Sequence, residues 1–209
     1  MPSSYAARQS EFTRNLLTLC QQATDADIEQ GLAWYPSVHR LICNWADTYR
    51  QPIQVVANVV AAISPQCFWE RNLIIADDIL AGRPPSIGAL HSNVRKAEAI
   101  LRNREFSVAR YFPHGPKVQA FAANLAYDLL QVTVDTHGQQ AALADVETRD
   151  SMHPVRYHII ADAYKHAAAS YRLAPATFQA IIWHVWKRLY PRIDKLQRRR
   201  QWHVIGIEE

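Results

Sequence analysis

The sequence predicts an all-helical fold, and two observations lead to that prediction. The chain of 209 residues has only six glycines, whereas an all-β chain needs many residues that adopt positive φ in its tight turns. Apolar residues also recur at spacings of three and four along segments that begin or end at proline, which is typical of amphipathic helices. The length suits one compact domain, so we expect a single helical domain over residues 1–209.

Prolines and a glycine mark the first predicted helices. Pro36 and Pro52 each precede an apolar stripe, and we expect a helix to begin at each of them. A third helix is expected from about Pro65 to Ala81, with Gly82 as the signal that ends it.

The second half is divided in the same way. The segment 131–135 is β-branched, but a lone strand has nothing to pair with, so we expect an extended connector that enters a helix at Asp135. The other expected elements are a basic helix from a Ser92 cap to Arg102, a turn at 113–116 and a helix from there to about Leu129. Two C-terminal helices are expected within residues 152–190, at about 152–171 and 175–190.

Positive charge is concentrated near the C-terminus. Residues 187–200 contain seven of the 23 lysines and arginines and one acid, which leaves 16 basic and 18 acidic residues, a net charge of −2, in the rest of the chain. This basic tail includes Arg198, Arg199 and Arg200. Such a run either contacts nucleic acid or phosphate, or is simply the solvated face of a helix.

Cysteine spacing and hydropathy exclude several classes of protein. Cys20, Cys43 and Cys67 form no Cys-x-x-Cys pair, which argues against a structural zinc site and a four-cysteine iron–sulfur cluster. We therefore expect no metal and no cofactor. The odd number of cysteines fits a reducing cytoplasm. The longest apolar stretch, Val55–Ile63, is nine residues, is interrupted by Asn58 and is too short for a membrane span. We expect a cytoplasmic protein with no membrane partner.

Three motifs are candidates for a functional site. The segment Ile63-Ser64-Pro65-Gln66 precedes an apolar stripe, and Lys96-Ala97-x-x-Ile100 lies in the basic helix. The third motif has two parts, Gly115-Pro116-Lys117 and Val134-Asp135-Thr136-His137. The aspartate of the second part follows the lysine of the first by eighteen residues.

In this order and at these gaps, the motifs resemble the helix-hairpin-helix (HhH-GPD) superfamily of DNA glycosylases, of the endonuclease III type. In that family a Leu-Ser-x-Gln segment begins a helix, a Lys-Ala-x-x-Ile helix leads to a glycine-rich hairpin ending in lysine, and the catalytic aspartate follows in Val-Asp-Thr-His. The resemblance covers about residues 55–148. It implies a two-lobed helical fold with a glycosylase-like core at about 36–148, here without an iron–sulfur cluster. The chain is also similar to uncharacterised phage and bacterial proteins that share its Trp34-Tyr35-Pro36 element.

The resemblance implies roles for the matching residues. Asp135 would be the catalytic carboxylate, and Lys117 either the nucleophile of a lyase step or a phosphate contact. Gln66 either enters the DNA where a nucleotide leaves the stack or is an ordinary polar residue in the first turn of a helix. Gly115 and Lys96 would contact DNA together with the arginines of the basic tail.

The residue types also suit this chemistry on physical grounds. Cleaving a base from its sugar develops positive charge on C1′, which a carboxylate in a dry pocket stabilises. The positive end of a helix would favour the ionised form of Asp135, although a plain N-cap is the structural alternative. Trp69, Trp34 and Tyr35 either stack on an extruded base or belong to the core. Asn72 either projects into the same cleft or bridges backbone groups.

Three functions are open from the sequence. The first is a DNA glycosylase that flips a modified or damaged base from double-stranded DNA and cleaves its N-glycosidic bond, with lyase activity where Lys117 attacks C1′. The second is a phage-type enzyme that transfers a group onto a modified thymine on the same fold. The third is a non-catalytic DNA-binding module in which Asp135 only caps a helix. In each case we expect a monomer in a bacterial or phage-infected host cell.

Overall fold

The fold is helical throughout the residues that the structure describes. The computed structural model describes residues 4–148 and 152–191, and no strand forms within these ranges. The helices are α1 (Tyr5–Cys20), α2 (Asp25–Tyr49), α3 (Ile53–Ile63), α4 (Trp69–Leu80), α5 (His91–Asn103), α6 (Pro116–Leu125), α7 (Thr136–Leu143), α8 (Pro154–Ser170) and α9 (Pro175–Leu189), with a 3₁₀ turn at Val108–Arg110. The all-helical prediction is confirmed. None of these helices is long and apolar enough to cross a bilayer.

The described residues cluster into two compact units. Unit 1 contains residues 4–37, 127–148 and 152–191, and unit 2 contains residues 38–126. Helix α2 runs through the boundary, so its first half belongs to unit 1 and its second half to unit 2.

Unit 1 is built around α1, α8 and α9. Helix α1 packs on α7, α8 and α9, and the largest fully buried side chains of these helices include Leu16, Ile160, Tyr164, Phe178 and Ile182. Gly31 of α2 lies against α9. A Cβ atom at Gly31 would be 2.4 Å from Cγ1 and 2.6 Å from Cα of Ile181, closer than packed atoms approach. The α2–α9 contact therefore requires glycine at this position.

Unit 2 is built around α3, which is buried on all sides from Val55 to Ile63. It packs against α4, α5 and α6. The polar residue inside it, Asn58, accepts a hydrogen bond from Gln54 at 2.9 Å and donates one to the backbone carbonyl of Glu105 at 2.8 Å. Its amide is thus satisfied within the core, as a buried polar group requires.

Proline predicts three helix starts correctly. Pro52 is the N-cap of α3, and Pro116 and Pro175 are the first residues of α6 and α9. Gly82 follows the end of α4 with φ +71°, the left-handed conformation in which glycine terminates helices. The connector predicted at 131–135 forms neither a helix nor a strand, its last residue Asp135 has an extended backbone, and α7 begins directly after it.

The predicted helix start at Pro36 is wrong, because α2 begins at Asp25 and passes through Pro36. A proline inside a helix removes one backbone hydrogen bond and costs about 3 kcal/mol. The flanking residues Tyr35 and Val38 are 3% and 5% exposed, and burial of such side chains offsets about 1.5–3 kcal/mol each. Tertiary packing therefore overrides the local signal at this point.

Other predicted boundaries also shift. Helix α4 begins at Trp69 rather than near Pro65, because Gln66 has φ +58° and forms a turn instead of a first helical turn. The N-cap of α5 is Leu90, so Ser92 lies inside the helix and does not cap it. Helix α6 ends at Leu125 rather than at about Leu129, since Tyr127 has φ +76°.

Candidate functional site

Asp135 lies between a buried connector and helix α7. The connector residues Val132 and Val134 are 2% and 1% exposed. Tyr157 of α8 holds them: its hydroxyl donates a hydrogen bond to the carbonyl of Val132 at 2.7 Å and accepts one from the N–H of Val134 at 3.4 Å. Burial raises the pKa of Tyr157 well above its usual value, so its hydroxyl stays protonated. The backbone leading to Asp135 is therefore tied to α8.

The carboxylate of Asp135 uses its two oxygens differently. Its Oδ1 atom accepts a hydrogen bond from the backbone N–H of Gly138 at 2.7 Å, which makes Asp135 the N-cap of α7. Its Oδ2 atom has no hydrogen-bond partner among the residues that the structure describes. Tyr164, which is fully buried, donates to the carbonyl of Gly138 at 3.2 Å. One oxygen is thus held at the helix start, while the other makes no hydrogen bond to the described residues.

A half-buried aromatic cluster surrounds Trp183 of α9. The Nζ atom of Lys187 lies 4.1 Å from the centroid of the Trp183 ring. The rings of Trp34 and His137 approach the same indole, with centroids 6.0 Å and 6.4 Å away. Trp34, a predicted base-stacking residue, is therefore packed against protein rings in this structure.

Tyr35 lies in the core of unit 1. It is 3% exposed, and its hydroxyl donates a hydrogen bond to Oε1 of Gln179 at 3.4 Å. A ring buried in this way packs against neighbouring side chains, which is the core alternative left open for it by the sequence.

The turn before α6 places Gly115, Pro116 and Lys117 at a helix start. Gly115 is the N-cap of α6, and its N–H donates to the carbonyl of Phe112 at 3.0 Å. Pro116 has no N–H to offer a ligand. The N–H of Lys117, like the other N–H groups of a helix's first turn, has no partner within the helix. The side chain of Lys117 is half-buried and makes no hydrogen bond or ion pair with the described residues. The Nζ of Lys96 lies 4.1 Å from the centroid of the Phe112 ring.

Gln66 is exposed in the turn between α3 and α4. The turn borders a small pocket to which Cys67, Arg71 and Asn93 also contribute. Asn93 donates to the carbonyl of Pro65 at 3.2 Å, so α5 anchors the turn. Gln66 therefore projects from a fixed backbone rather than from a helix.

Asn72 and Trp69 are both engaged inside unit 2. Asn72 is 1% exposed, and its amide donates to the carbonyl of Val60 at 3.0 Å, which is the backbone-bridging alternative. The half-buried ring of Trp69 packs edge-to-face on Phe121 with centroids 6.3 Å apart. Both side chains stabilise the contact of α4 with its neighbours in unit 2.

Two basic residues of the tail, Lys187 and Arg188, lie in the described part of the chain and make contacts within unit 1. Arg188 donates from Nε to Oδ2 of Asp27 at 2.8 Å and from Nη2 to the carbonyl of Gln22 at 2.6 Å. Lys187 covers the ring of Trp183. The other five basic residues of the tail, including Arg198, Arg199 and Arg200, lie outside the described residues.

The predicted site residues divide between the units. Unit 1 holds Asp135, Trp34 and Tyr35, and unit 2 holds Lys117, Gly115, Gln66, Lys96, Trp69 and Asn72. In the described ranges 4–148 and 152–191, no group of three or more His, Cys, Asp or Glu side chains is close enough to hold a metal ion.

A protein-family comparison assigns the chain to a family. The family model described as Family of unknown function (DUF7178) matches residues 2–189. The chain belongs to this family. No curated protein and no solved structure matches the chain.

This DUF7178 protein also contains a side-chain pair that none of the three motifs includes. Cys43 and His39 lie on α2, with Sγ 3.4 Å from Nε2. The Nδ1 atom of His39 lies 3.0 Å from the carbonyl oxygen of Leu125. The signal in the sequence is the His-x-x-x-Cys spacing, since residues at i and i+4 share one face of a helix.

Proposed function

We propose that this protein acts on bases in double-stranded DNA, and that Asp135 drives cleavage of the N-glycosidic bond of a flipped nucleotide. The observation that carries the proposal is the division between its two carboxylate oxygens. Oδ1 is held by the N–H of Gly138 at 2.7 Å, and Oδ2 has no partner among the described residues. A pure N-cap needs only the first oxygen and would be served equally well by serine or asparagine.

The proposed reaction uses the unpartnered oxygen. As the bond between C1′ and the base nitrogen breaks, the electron pair leaves with the base and positive charge develops on the sugar, which the carboxylate stabilises. A water molecule adds its oxygen to C1′, and Oδ2 of Asp135 accepts the proton that this water loses. The proton then passes to the departing base, so the products are a free base and an abasic sugar.

Two buried tyrosines support the carboxylate in this role. Tyr157 fixes the connector before Asp135, and Tyr164 fixes the first turn after it. Burial raises the pKa of Tyr164 well above its usual value, and the negative charge of Asp135 adds to the effect. The groups that hold the site are therefore neutral, preorganised dipoles, and such groups cost no reorganisation during the reaction.

Lys117 has two roles open to it, the accessory nucleophile and the phosphate contact. Its position in the first turn of α6 favours the second, because helix N-termini bind phosphate through free N–H groups and the helix dipole. The exposed Gln66 turn is a further candidate contact with DNA in unit 2.

The test uses a panel of duplexes, each with one modified, damaged or mismatched base, and an unmodified duplex as the control. We expect at least one duplex to lose a free base and to acquire an alkali-labile abasic site. In a parallel reaction that also contains a small-molecule extract as the source of a group donor, a heavier nucleoside without an abasic site would overturn hydrolysis and indicate group transfer. Duplex binding with unchanged nucleosides across the panel would overturn catalysis and leave a DNA-binding module.

A further inference from the structure

The three cysteines have different surroundings. Cys20 packs against the core of unit 1, and burial raises the pKa of its thiol. Burial raises the pKa of the Cys67 thiol to about 11. Cys43 differs from both because its sulfur lies beside an imidazole, 3.4 Å from Nε2 of His39.

A backbone carbonyl orients His39. Its Nδ1 atom lies 3.0 Å from the carbonyl oxygen of Leu125, the last residue of α6. This is one of the four carbonyls that a helix leaves without an intrahelical partner. Since a carbonyl only accepts hydrogen bonds, Nδ1 carries the hydrogen, and Nε2 of the neutral ring is the acceptor. The thiol of Cys43 therefore donates to Nε2.

We propose that Cys43 is a nucleophilic thiol with His39 as its base, and that it exchanges with small disulfides. A nucleophile, a base within hydrogen-bond reach and a third group that orients the base together form the arrangement of activated nucleophiles. Cys43 is partly exposed, as Cys20 and Cys67 are, so the neighbouring imidazole rather than exposure distinguishes this thiol. Burial raises the pKa of the Cys20 and Cys67 thiols, which lowers the thiolate fraction of both.

The exchange balances without a further oxidant. The thiol proton moves to Nε2 of His39, and the thiolate of Cys43 attacks one sulfur of the disulfide. A new S–S bond forms to Cys43 while the S–S bond of the reagent breaks. The released thiolate takes the proton back from the imidazolium, so the products are a mixed disulfide at Cys43 and one small thiol.

The proposed thiol site shares no residue with the proposed DNA chemistry. Cys43, His39 and Leu125 belong to unit 2, whereas Asp135 belongs to unit 1. Either proposal can therefore fail while the other stands.

The test measures the initial rate of mixed-disulfide formation at each cysteine of the native full-length chain. The probe is oxidised glutathione at about pH 7, followed by an acid quench and peptide mass spectrometry. An unassisted thiol of pKa about 8.5 is only about 3% thiolate at that pH, so a base raises the thiolate fraction by about 30-fold at most. We expect Cys43 to react about tenfold or more faster than Cys20 and Cys67.

Two variants and one control sharpen the result. His39→Gln should slow Cys43 about tenfold and leave Cys20 and Cys67 unchanged, and Cys43→Ser should abolish the fast reaction. In urea, where the native surroundings of each thiol are lost, all three cysteines should react with oxidised glutathione at similar rates. This control shows that the reagent itself does not favour one of the three peptides. Equal rates in the native protein would overturn the proposal without any variant, as would a Cys43 rate that His39→Gln does not change.

Discussion

The Oδ1 atom of Asp135 lies 2.7 Å from the backbone nitrogen of Gly138, so the proposed catalytic carboxylate is also the N-cap of α7. The cap depends on an oxygen acceptor at this position, whereas the proposed chemistry depends on negative charge at Oδ2. Asparagine at this position keeps the oxygen acceptor and removes the negative charge. Substitutions of Asp135 can therefore test its contribution to stability separately from its contribution to the reaction.

The cap itself makes a prediction about stability. Asp135→Ala should lower the free energy of unfolding by about 0.5–2 kcal/mol, whereas Asp135→Asn should lower it by less than about 0.5 kcal/mol because the amide oxygen still accepts from Gly138. Urea unfolding at about pH 7 measures both. An alanine variant as stable as the wild type would contradict the capping role.

Replacing Gly31 should destabilise unit 1. In Gly31→Ala the new Cβ would lie 2.4 Å from Cγ1 of Ile181, and we expect a loss of about 1–3 kcal/mol or more from overpacking. Gly138→Ala is the matched control, because its Cβ would come no closer than 3.4 Å to another atom, Oδ1 of Asp135. Thermal unfolding compares the two, and similar midpoints would contradict the close α2–α9 contact.

Asp27 should make stability depend on acid pH. Burial opposes its ionisation, but hydrogen bonds from Thr24 and Arg188 outweigh burial and hold the pKa of Asp27 below its usual value. A group with a depressed folded pKa stabilises the fold above its unfolded pKa, and this contribution is lost as the pH falls through the folded pKa. For Asp27 the loss should therefore develop below about pH 4.

Asp27→Asn tests this linkage. At about pH 7 we expect it to lower the free energy of unfolding by about 1–3 kcal/mol, since it removes hydrogen bonds to a charged acceptor. Its stability should then fall less steeply than that of the wild type on acidification. Asp25→Asn, an exposed residue of the same helical turn, is the control. Parallel pH profiles of the wild type and Asp27→Asn would contradict the assigned shift.

Lys117 should contribute one phosphate contact. Lys117→Ala should weaken duplex binding. It should also make the slope of the logarithm of the binding constant against the logarithm of the salt concentration less negative by about 1. Fluorescence anisotropy at several salt concentrations measures the slope. Lys165→Ala is the control, because Lys165 is paired with Asp162 at 3.2 Å. An unchanged slope in Lys117→Ala would remove this residue from the DNA contacts.

Where local chemistry determines an element, it can be predicted from the sequence. Pro175 stands at the first position of α9, and the apolar stripe that follows it is buried at Phe178, Ile182 and Val185. Asp135 is likewise predicted at a helix start after an extended connector, and the structure places it there. In both cases the capping or periodicity rule and the tertiary packing agree.

Where packing overrides local signals, the sequence misleads. Pro36 predicts a helix start but lies inside α2. Gln66 adopts a left-handed conformation that nothing in its residue type requires. The Cys43–His39 pair has a sequence signal in its spacing, but its significance depends on the carbonyl of Leu125, which is distant in sequence.

The measurement that tests the central claim most directly is the rate of base release by Asp135→Asn. It uses the duplex that the wild type cleaves best in the substrate panel, with the free energy of unfolding and the duplex affinity measured in parallel. We predict a fall of about 10²-fold or more in the release rate, with stability and affinity close to those of the wild type. Base release at the wild-type rate would contradict a catalytic role for the Asp135 carboxylate.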